Sequence, residues 1–301
     1  MISYYLKIFY KAIKKFPSDE PMEYASSIGF YTIFSLPAIL VIAVYVASVT
    51  YEDELVRQNL MEQIQTITGP QSAVAVDKIL SNAGTMGDDF WTKAFGLGVL
   101  IFSATTVFVS LQDGLNKIWR IKAKPNKEVI SFFINRLLSL AMAVSFGFLL
   151  LVTLVLDTVI AILNSFITDL LSGAAFFVIT GINLLFSFGV ITVMFAIIFK
   201  VLPDAVIKWK DVWAGAFVTT LLFTIGKFLI GFYLANSPIS TTYGAAGSLV
   251  LLLVWVYYSS LIVLFGAEFT YTHALERGHK VIPKKHAVVV KETEGNTSTT
   301  E

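Results

Sequence analysis

Four ionisable side chains stand where long uncharged stretches of this sequence end or are interrupted. They are Asp113, Asp157, Lys227 and Glu268. A charge among apolar residues is costly, so such a group usually contacts an opposite charge, an ion or a polar solute. Two further polar residues, Asn116 and Tyr243, lie close to the ends of such stretches, and the six together form the candidate site.

Lys227 and Asp157 form one candidate pair, for which their positions along the predicted helices leave two interpretations. Measured from the inner interface near Arg136, Asp157 lies ~31 Å along its helix. Lys227 lies ~25 Å from Lys210 along its own helix, so Lys227 and Asp157 are at similar height. The two could form an ion pair, or Lys227 could reach the lipid headgroups while Asp157 caps its helix in water. A Lys227 that faces a solute would suit an anion or a lipid headgroup.

Asp113 and Glu268 both fall at the helix ends that lie away from Asp157 and Lys227, near a group of bases. That group contains Lys117, Arg120, Arg136 and Lys200. The two acids either pair with these bases to stabilise the fold or form an inner gate to a pathway.

The usual enzymatic constellations are missing from the sequence. All three histidines, His273, His279 and His286, lie near the C-terminus, and there is no cysteine. A single adjacent acid pair, Asp88-Asp89, falls short of the converging carboxylates that hold a nuclease's metal ions. We therefore expect no enzyme activity, no metal and no cofactor.

The elements that must position these residues follow from the charge pattern. Of 301 residues, 56% are hydrophobic and 14% are charged, and the mean hydropathy is +0.74, whereas soluble domains carry ~25% charged residues. Uncharged runs long enough to cross a bilayer lie at 24–51, 94–112, 137–156, 170–199, 212–235 and 247–271. The sequence predicts an all-α, polytopic integral membrane protein with six transmembrane helices.

Lysine and arginine are distributed unevenly between the connecting segments. Eighteen lie in the N-terminal segment, the 112–136 loop, the 200–211 loop and the tail, against three in the 52–93 loop. The positive-inside rule then places both termini in the cytoplasm of a bacterial inner membrane. The 52–93 loop lies outside, and its apolar periodicity predicts two short amphipathic helices. At the predicted interfaces, the tryptophans Trp91, Trp119, Trp209 and Trp213 are expected to act as aromatic anchors, whereas Trp255 is interior.

Three regions result from this topology. Residues 1–23 form a basic amphipathic helix that either lies on the inner leaflet or packs as a short soluble helix against the loops. Residues 24–275 form the membrane domain, whose first span we expect to be retained as an anchor. Residues 276–301 form a largely disordered tail. A net charge of +1 gives no reason to expect nucleic-acid binding.

An ordered series of motifs resembles a known family. The strongest are Leu202-Pro203-Asp204-Ala205, Trp209-Lys210-Asp211-Val212-Trp213-Ala214-Gly215-Ala216, Tyr243-Gly244-Ala245-Ala246-Gly247 and Trp255-Val256-Tyr257-Tyr258 through Gly266-Ala267-Glu268. Phe34-Ser35-Leu36-Pro37 and Leu111-Gln112-Asp113-Gly114-Leu115-Asn116-Lys117-Ile118-Trp119 extend the series. Over about residues 20–275 the chain resembles the bacterial YihY / virulence factor BrkB family. The resemblance implies a six-helix membrane protein with a transporter-like role, linked in places to the cell envelope, and supplies no catalytic residues.

Three functions compete on this basis. The first is an inner-membrane protein that moves or accommodates a solute or lipid through a polar cavity lined by the six candidate residues. The second is a structural, envelope-associated protein whose polar groups pair internally. The third is a ribonuclease, a label that some family members have carried, and it would require Asp88 and Asp89. Membrane lipids are the expected partners, and the sequence leaves homo-oligomers open.

Overall fold

The computed structural model describes residues 2–48, 90–123, 174–236 and 247–290, together with eight isolated helical positions. These are Gln58, Met61, Glu62, Gln65, Val74, Asp77, Arg136 and Leu137. Six helices carry the described fold. They are α1 (Ile2–Lys15), α2 (Pro21–Ser48), α3 (Phe90–Ile118), α4 (Ala174–Val201), α5 (Trp209–Asn236) and α6 (Gly247–Glu276). A 3-10 helix, Phe16–Asp19, joins α1 to α2, and the chain turns into α2 through a left-handed Glu20 with φ 53°.

Four short strands lie beyond the ends of these helices. They are β1 (Ile121–Ala123), β2 (Ala205–Val206), β3 (Ile282–Pro283) and β4 (Ala287–Val289). β1 pairs with β4 and β2 with β3, both antiparallel, with Lys122 opposite Val288 and Ala205 opposite Pro283. The strands tie the C-terminal segment to the connections that follow α3 and α4. We call this side of the bundle the strand-bearing end.

Helix α6 is the centre of the bundle, since it contacts α1, α2, α3 and α5. Two glycines allow its close approach to α5: a Cβ at Gly215 would lie 1.7 Å from Thr270 Oγ1, and one at Gly266 would lie 1.8 Å from Thr219 Oγ1. Each threonine hydroxyl donates to the glycine carbonyl of its own helix at 2.7 Å. The crossing is therefore a reciprocal pair of small-residue steps that lets the two backbones meet.

The N-terminal helix α1 packs along the last turns of α6. Ile8 and Ala12 are buried with Phe269, and the Phe9 ring meets Phe265 edge-on at 5.2 Å. Its other side leaves an apolar stripe exposed, composed of Leu6, Tyr10 and Ile13. One face is thus used for packing, and a second apolar face is exposed.

Five of the predicted spans fall on the described helices α2 to α6, whose bounds differ from the predicted ones, and the span 137–156 lies outside the described residues apart from Leu137. Three of them contain segments long and apolar enough to cross a membrane: Leu184–Val201, Trp209–Tyr233 and Leu249–Glu276. Trp255 is interior as expected. In the predicted tail 276–301, residues 282–289 carry β3 and β4, while 291–301 lie outside the described residues.

Candidate functional site

The buried carboxylate of Asp204 organises the strand-bearing end. It accepts hydrogen bonds from Gln112 Nε2 at 3.1 Å and Asn116 Nδ2 at 3.0 Å, both on α3. His286 Nε2 lies 2.9 Å from its Oδ1. The backbone N–H of Asp204 donates to Asn116 Oδ1 at 2.8 Å, so Asn116 and Asp204 hold each other through two bonds. Asn116 is positioned by this network and buried with it.

Backbone contacts fix the loop that carries Asp204. Lys284 donates from its backbone N–H to Asp204 O at 2.9 Å and from Nζ to Val201 O at 3.1 Å, and Lys200 Nζ donates to Ile207 O. Burial lowers the pKa of Lys284, and the charge of Asp204 opposes that change. Lys284 therefore donates to a carbonyl at the end of α4, where helix carbonyls lack partners, and Lys200 donates to a carbonyl of the loop before α5.

Asp113 lies one turn before Asn116 in sequence order on α3 but has a different environment. Its side chain is exposed and borders a cavity of about 760 Å³ at the strand-bearing end. The cavity is lined by residues of both signs: Ser18, Asp19, Tyr24, Asp113, Asn116, Lys117, Arg120, Ile121, Lys122, Asp204 and Val290. Lys117 bonds Glu20 at 2.8 Å, which raises the pKa of the lysine. Most of the lining residues are polar, and the cavity is large enough for a small solute with its water.

Glu268 is fully buried in α6 and pairs with α1. Its Oε1 accepts from Lys15 Nζ at 3.0 Å and from Thr272 Oγ1 at 3.0 Å. Lys15 also lies 3.5 Å from Asp19 and 4.4 Å above the Tyr271 ring centroid. The expected neighbours of Glu268 were the bases Lys117, Arg120, Arg136 and Lys200, so its partner comes instead from the N-terminal helix. The pair lies next to the cavity, because Asp19, which Lys15 also contacts, is one of the residues that line it.

A third buried carboxylate, Asp211, gathers two histidines at the start of α5. His279 Nδ1 lies 2.6 Å from Asp211 Oδ2, and His273 Nδ1 lies 3.2 Å from Oδ1. The His273 ring stacks on Tyr5 at 5.9 Å and on Phe269 at 6.2 Å. Among the described residues no group of three His, Cys, Asp or Glu could hold a metal. This cluster joins α5, α6 and α1.

The remaining candidate residues are only partly accounted for. Lys227 is half-buried, with Nζ 5.6 Å from the ring centroid of its neighbour Phe228. Its proposed partner Asp157 lies outside the described residues, as do Tyr243 and the acid pair Asp88-Asp89. The structure thus brings together Asp113 and Asn116 and keeps Glu268 in a separate pair.

Two side chains lie where the charge and aromatic patterns did not predict. Arg136 Nη1 donates to Thr105 Oγ1 at 2.8 Å and Thr106 Oγ1 at 3.1 Å, in the middle of α3 rather than at a helix end. The depth of Asp157, which was measured from Arg136, therefore loses its reference. Trp119 was expected to be an interfacial anchor, but it is buried and its Nε1 donates to Ala267 O at 3.0 Å.

Sequence reasoning also missed the acceptors Asp204 and Asp211 as site residues. Both lie in motifs that had been noted, Leu202-Pro203-Asp204-Ala205 and Trp209-Lys210-Asp211. The available signal was an acid directly after or before a long apolar run, where an uncompensated charge is costly. The partners themselves stand up to 92 residues away, and a single sequence does not reveal them.

The apolar helices and the polar network at one end define the class of protein. Long helices with exposed apolar faces, three of them able to span a membrane, and a buried ionic cluster at one end are features of a polytopic helical membrane protein.

The comparison with known families makes the assignment specific. The family model described as virulence factor BrkB matches residues 12–289, and the chain belongs to this family. It is 25% identical to a UPF0761 membrane protein of Acinetobacter baylyi, covering 92% of this chain and 64% of that protein. It is 28% identical to one of Idiomarina loihiensis (72% of each chain) and 26% identical to one of Alteromonas mediterranea (86% and 84%). No solved structure matches the chain.

Proposed function

We propose that this chain is a non-enzymatic protein of the bacterial inner membrane that moves or accommodates a small polar solute or a lipid headgroup. The observation that carries the proposal is the cavity of about 760 Å³ beside Asp113. A purely structural bundle would be expected to fill such a space, whereas the exposed side chains of Asp113 and Lys122 border this one. The family membership supports the membrane location but names no transported compound.

We propose that the strand-bearing end faces the cytoplasm. Lys14, Lys117, Lys200 and Lys210 all lie within a turn or two of helix ends on this side, which is where the positive-inside rule places bases. Six spans complete the topology, and the cavity then opens to the cytoplasm.

The exposed stripe of α1 fits the membrane surface under the same topology. Leu6, Tyr10 and Ile13 are 49–67% exposed, and α1 packs on the part of α6 that lies within the candidate span. We expect an environment-sensitive fluorophore attached at Ile13→Cys to emit at shorter wavelength in anionic nanodiscs than one attached at Lys11→Cys. Equal emission from the two positions would contradict an interfacial α1.

A flux measurement tests the proposed role. Purified protein is reconstituted in vesicles loaded with radiolabelled solutes of different charge: choline, phosphate, glycine and phosphoethanolamine. We expect faster release of at least one solute than from protein-free vesicles, and slower release with Asp113→Trp, which fills the cavity. Leu229→Trp, on the exposed side of α5, is the matched control.

A structural role is the second candidate, and the internal pairing of Glu268 with Lys15 and of Asn116 with Asp204 favours it. Release that equals the protein-free rate for every solute, or that Asp113→Trp and Leu229→Trp alter equally, would favour the structural role over transport.

A further inference from the structure

Three of the six charged residues that line the cavity are paired within the protein. Lys117 pairs with Glu20 at 2.8 Å, Asp19 lies 3.5 Å from Lys15, and Asp204 lies 2.9 Å from His286. These three pairs account for two of the acids and one of the bases in the wall. They hold the helix ends together and leave the cavity with a small set of other charges.

Two opposite charges in the wall are not used in this way. Asp113 on α3 and Lys122 on β1 are both exposed, and neither makes an ion pair within 4.0 Å among the described residues. If these two charges served to hold α3 against β1, we would expect them to form a direct ion pair. Instead the cavity borders both, so a ligand that carries both signs can bridge them.

Arg120 adds a second cation on the Lys122 side. Its guanidinium has five N–H donors, so it can contact a ligand oxygen while it keeps other contacts. Its backbone is left-handed with φ 57°, a conformation that costs a residue with a side chain and that often occurs at functional sites. The Val290 N–H holds that backbone by donating to Arg120 O at 2.7 Å.

We propose, building on the cavity-based function above, that this cavity binds an ammonium group joined by a short chain to a phosphate. The ammonium contacts Asp113, and the phosphate contacts Lys122 and Arg120. One carboxylate faces two cations in this arrangement, which complements the single positive and up to two negative charges of such a ligand. Arginine and lysine together are typical of phosphate binding. Free phosphoethanolamine and the headgroup of phosphatidylethanolamine share this chemistry.

A titration with the whole ligand and with its halves tests the proposal. Phosphoethanolamine, ethanolamine and inorganic phosphate are titrated calorimetrically into the purified full chain. We expect phosphoethanolamine to bind at least about tenfold more tightly than either half, since it gains a charged contact that each half lacks. Equal affinity for the whole and for either half, or no binding of any of the three, would overturn the proposal.

Variants assign the two ends of the ligand. Asp113→Asn should weaken phosphoethanolamine binding about tenfold and leave phosphate binding unchanged, whereas Lys122→Gln should weaken both. Lys208→Gln removes an exposed lysine outside the cavity wall and should change neither. Circular dichroism and gel filtration confirm that each variant is folded. Identical losses in Lys122→Gln and Lys208→Gln would show a nonspecific charge effect and contradict the assignment.

Nanodiscs separate the two sources of the ligand. If phosphatidylethanolamine in the disc competes with soluble phosphoethanolamine and phosphatidylcholine does not, the headgroup is the ligand; without competition it is the free compound. The result is also distinct from the flux test. If phosphoethanolamine binds but no solute is released, the binding site remains supported and transport is contradicted. If a solute is released but phosphoethanolamine does not bind, transport remains supported and this ligand class is contradicted.

Discussion

At the scale of single residues, the fold depends on how buried carboxylates are compensated. Asp204, Asp211 and Glu268 are each at most 1% exposed. Asp204 is held by two amides and a histidine, Asp211 by two histidines, and Glu268 by a lysine and a threonine hydroxyl. Because a buried charge without partners is costly, these contacts decide which loops and helices meet.

Removing the Asp204 carboxylate should destabilise the strand-bearing end. Asp204→Ala leaves the amides of Gln112 and Asn116 buried without their acceptor, a loss of about 2–5 kcal/mol in the free energy of unfolding. Asp113→Ala removes an exposed carboxylate, also from the strand-bearing end, and should change the free energy of unfolding by less than about 0.5 kcal/mol. Denaturant unfolding in detergent, followed by circular dichroism, measures both. Equal effects of the two substitutions would refute the role given to Asp204.

The Lys15–Glu268 pair can be tested by a double-mutant cycle. Lys15→Met leaves Glu268 buried without its cation and should cost about 3–5 kcal/mol of unfolding free energy. Adding Glu268→Gln to Lys15→Met should restore most of that loss, because the remaining side chain is neutral. Lys11→Met, which breaks the exposed pair with Glu276, should cost at most about 1 kcal/mol. A double variant less stable than Lys15→Met would rule out the pairing as the source of the effect.

The same residue scale shows what sequence reasoning could supply for the site. It identified Asp113 and Asn116 because both lie just after the predicted span 94–112, near a cluster of bases. It missed Asp204 and the partner of Glu268, since these contacts join positions 88 and 253 residues apart. A charge pattern shows where a partner is needed, but the chain's folding decides which residue provides it.

At the scale of elements, the close approach of α5 to α6 depends on glycines, which have no side chain. Gly215 and Thr219 face Gly266 and Thr270 across the crossing. No two glycines of this sequence stand four residues apart, whereas a glycine and a threonine share that spacing on both helices. Helix existence follows from the length of apolar runs, but the contact faces of nearly uniformly apolar helices do not.

Adding a methyl group at the crossing should therefore separate the helices. Gly215→Ala places its Cβ 1.7 Å from Thr270 Oγ1, and we expect a loss of about 1–3 kcal/mol in unfolding free energy. Gly231→Ala on the same helix meets nothing within 4 Å and should leave stability unchanged or raise it by up to about 1 kcal/mol.

Thr270→Gly provides a rescue for the same experiment. Combined with Gly215→Ala it removes the clashing hydroxyl and Cβ, so the double variant should melt at a higher temperature than Gly215→Ala alone in differential scanning fluorimetry. A Gly215→Ala variant as stable as Gly231→Ala would show that α5 and α6 do not meet at these glycines.

At the scale of the whole molecule, the described chain is asymmetric. The buried carboxylates, the four strands and the polar cavity all lie at the strand-bearing end, while the helices lead away from it with exposed apolar faces. The C-terminal segment closes this end, because β3 and β4 pair with the strands that follow α4 and α3. Such a distribution suits a bundle whose one end meets water and whose length lies in lipid.

Thiol accessibility in oriented membranes tests this account most directly, and the absence of native cysteine makes single-cysteine variants simple to interpret. A membrane-impermeant maleimide is applied to spheroplasts and to inside-out vesicles that carry Asp113→Cys. Phe108→Cys, buried in the core, serves as the unreactive control, and Asp77→Cys reports the opposite side. We predict that Asp113→Cys reacts in inside-out vesicles only and Asp77→Cys in spheroplasts only. Reaction of Asp113→Cys from the spheroplast side, or in neither preparation, would contradict a water-filled cavity open to the cytoplasm.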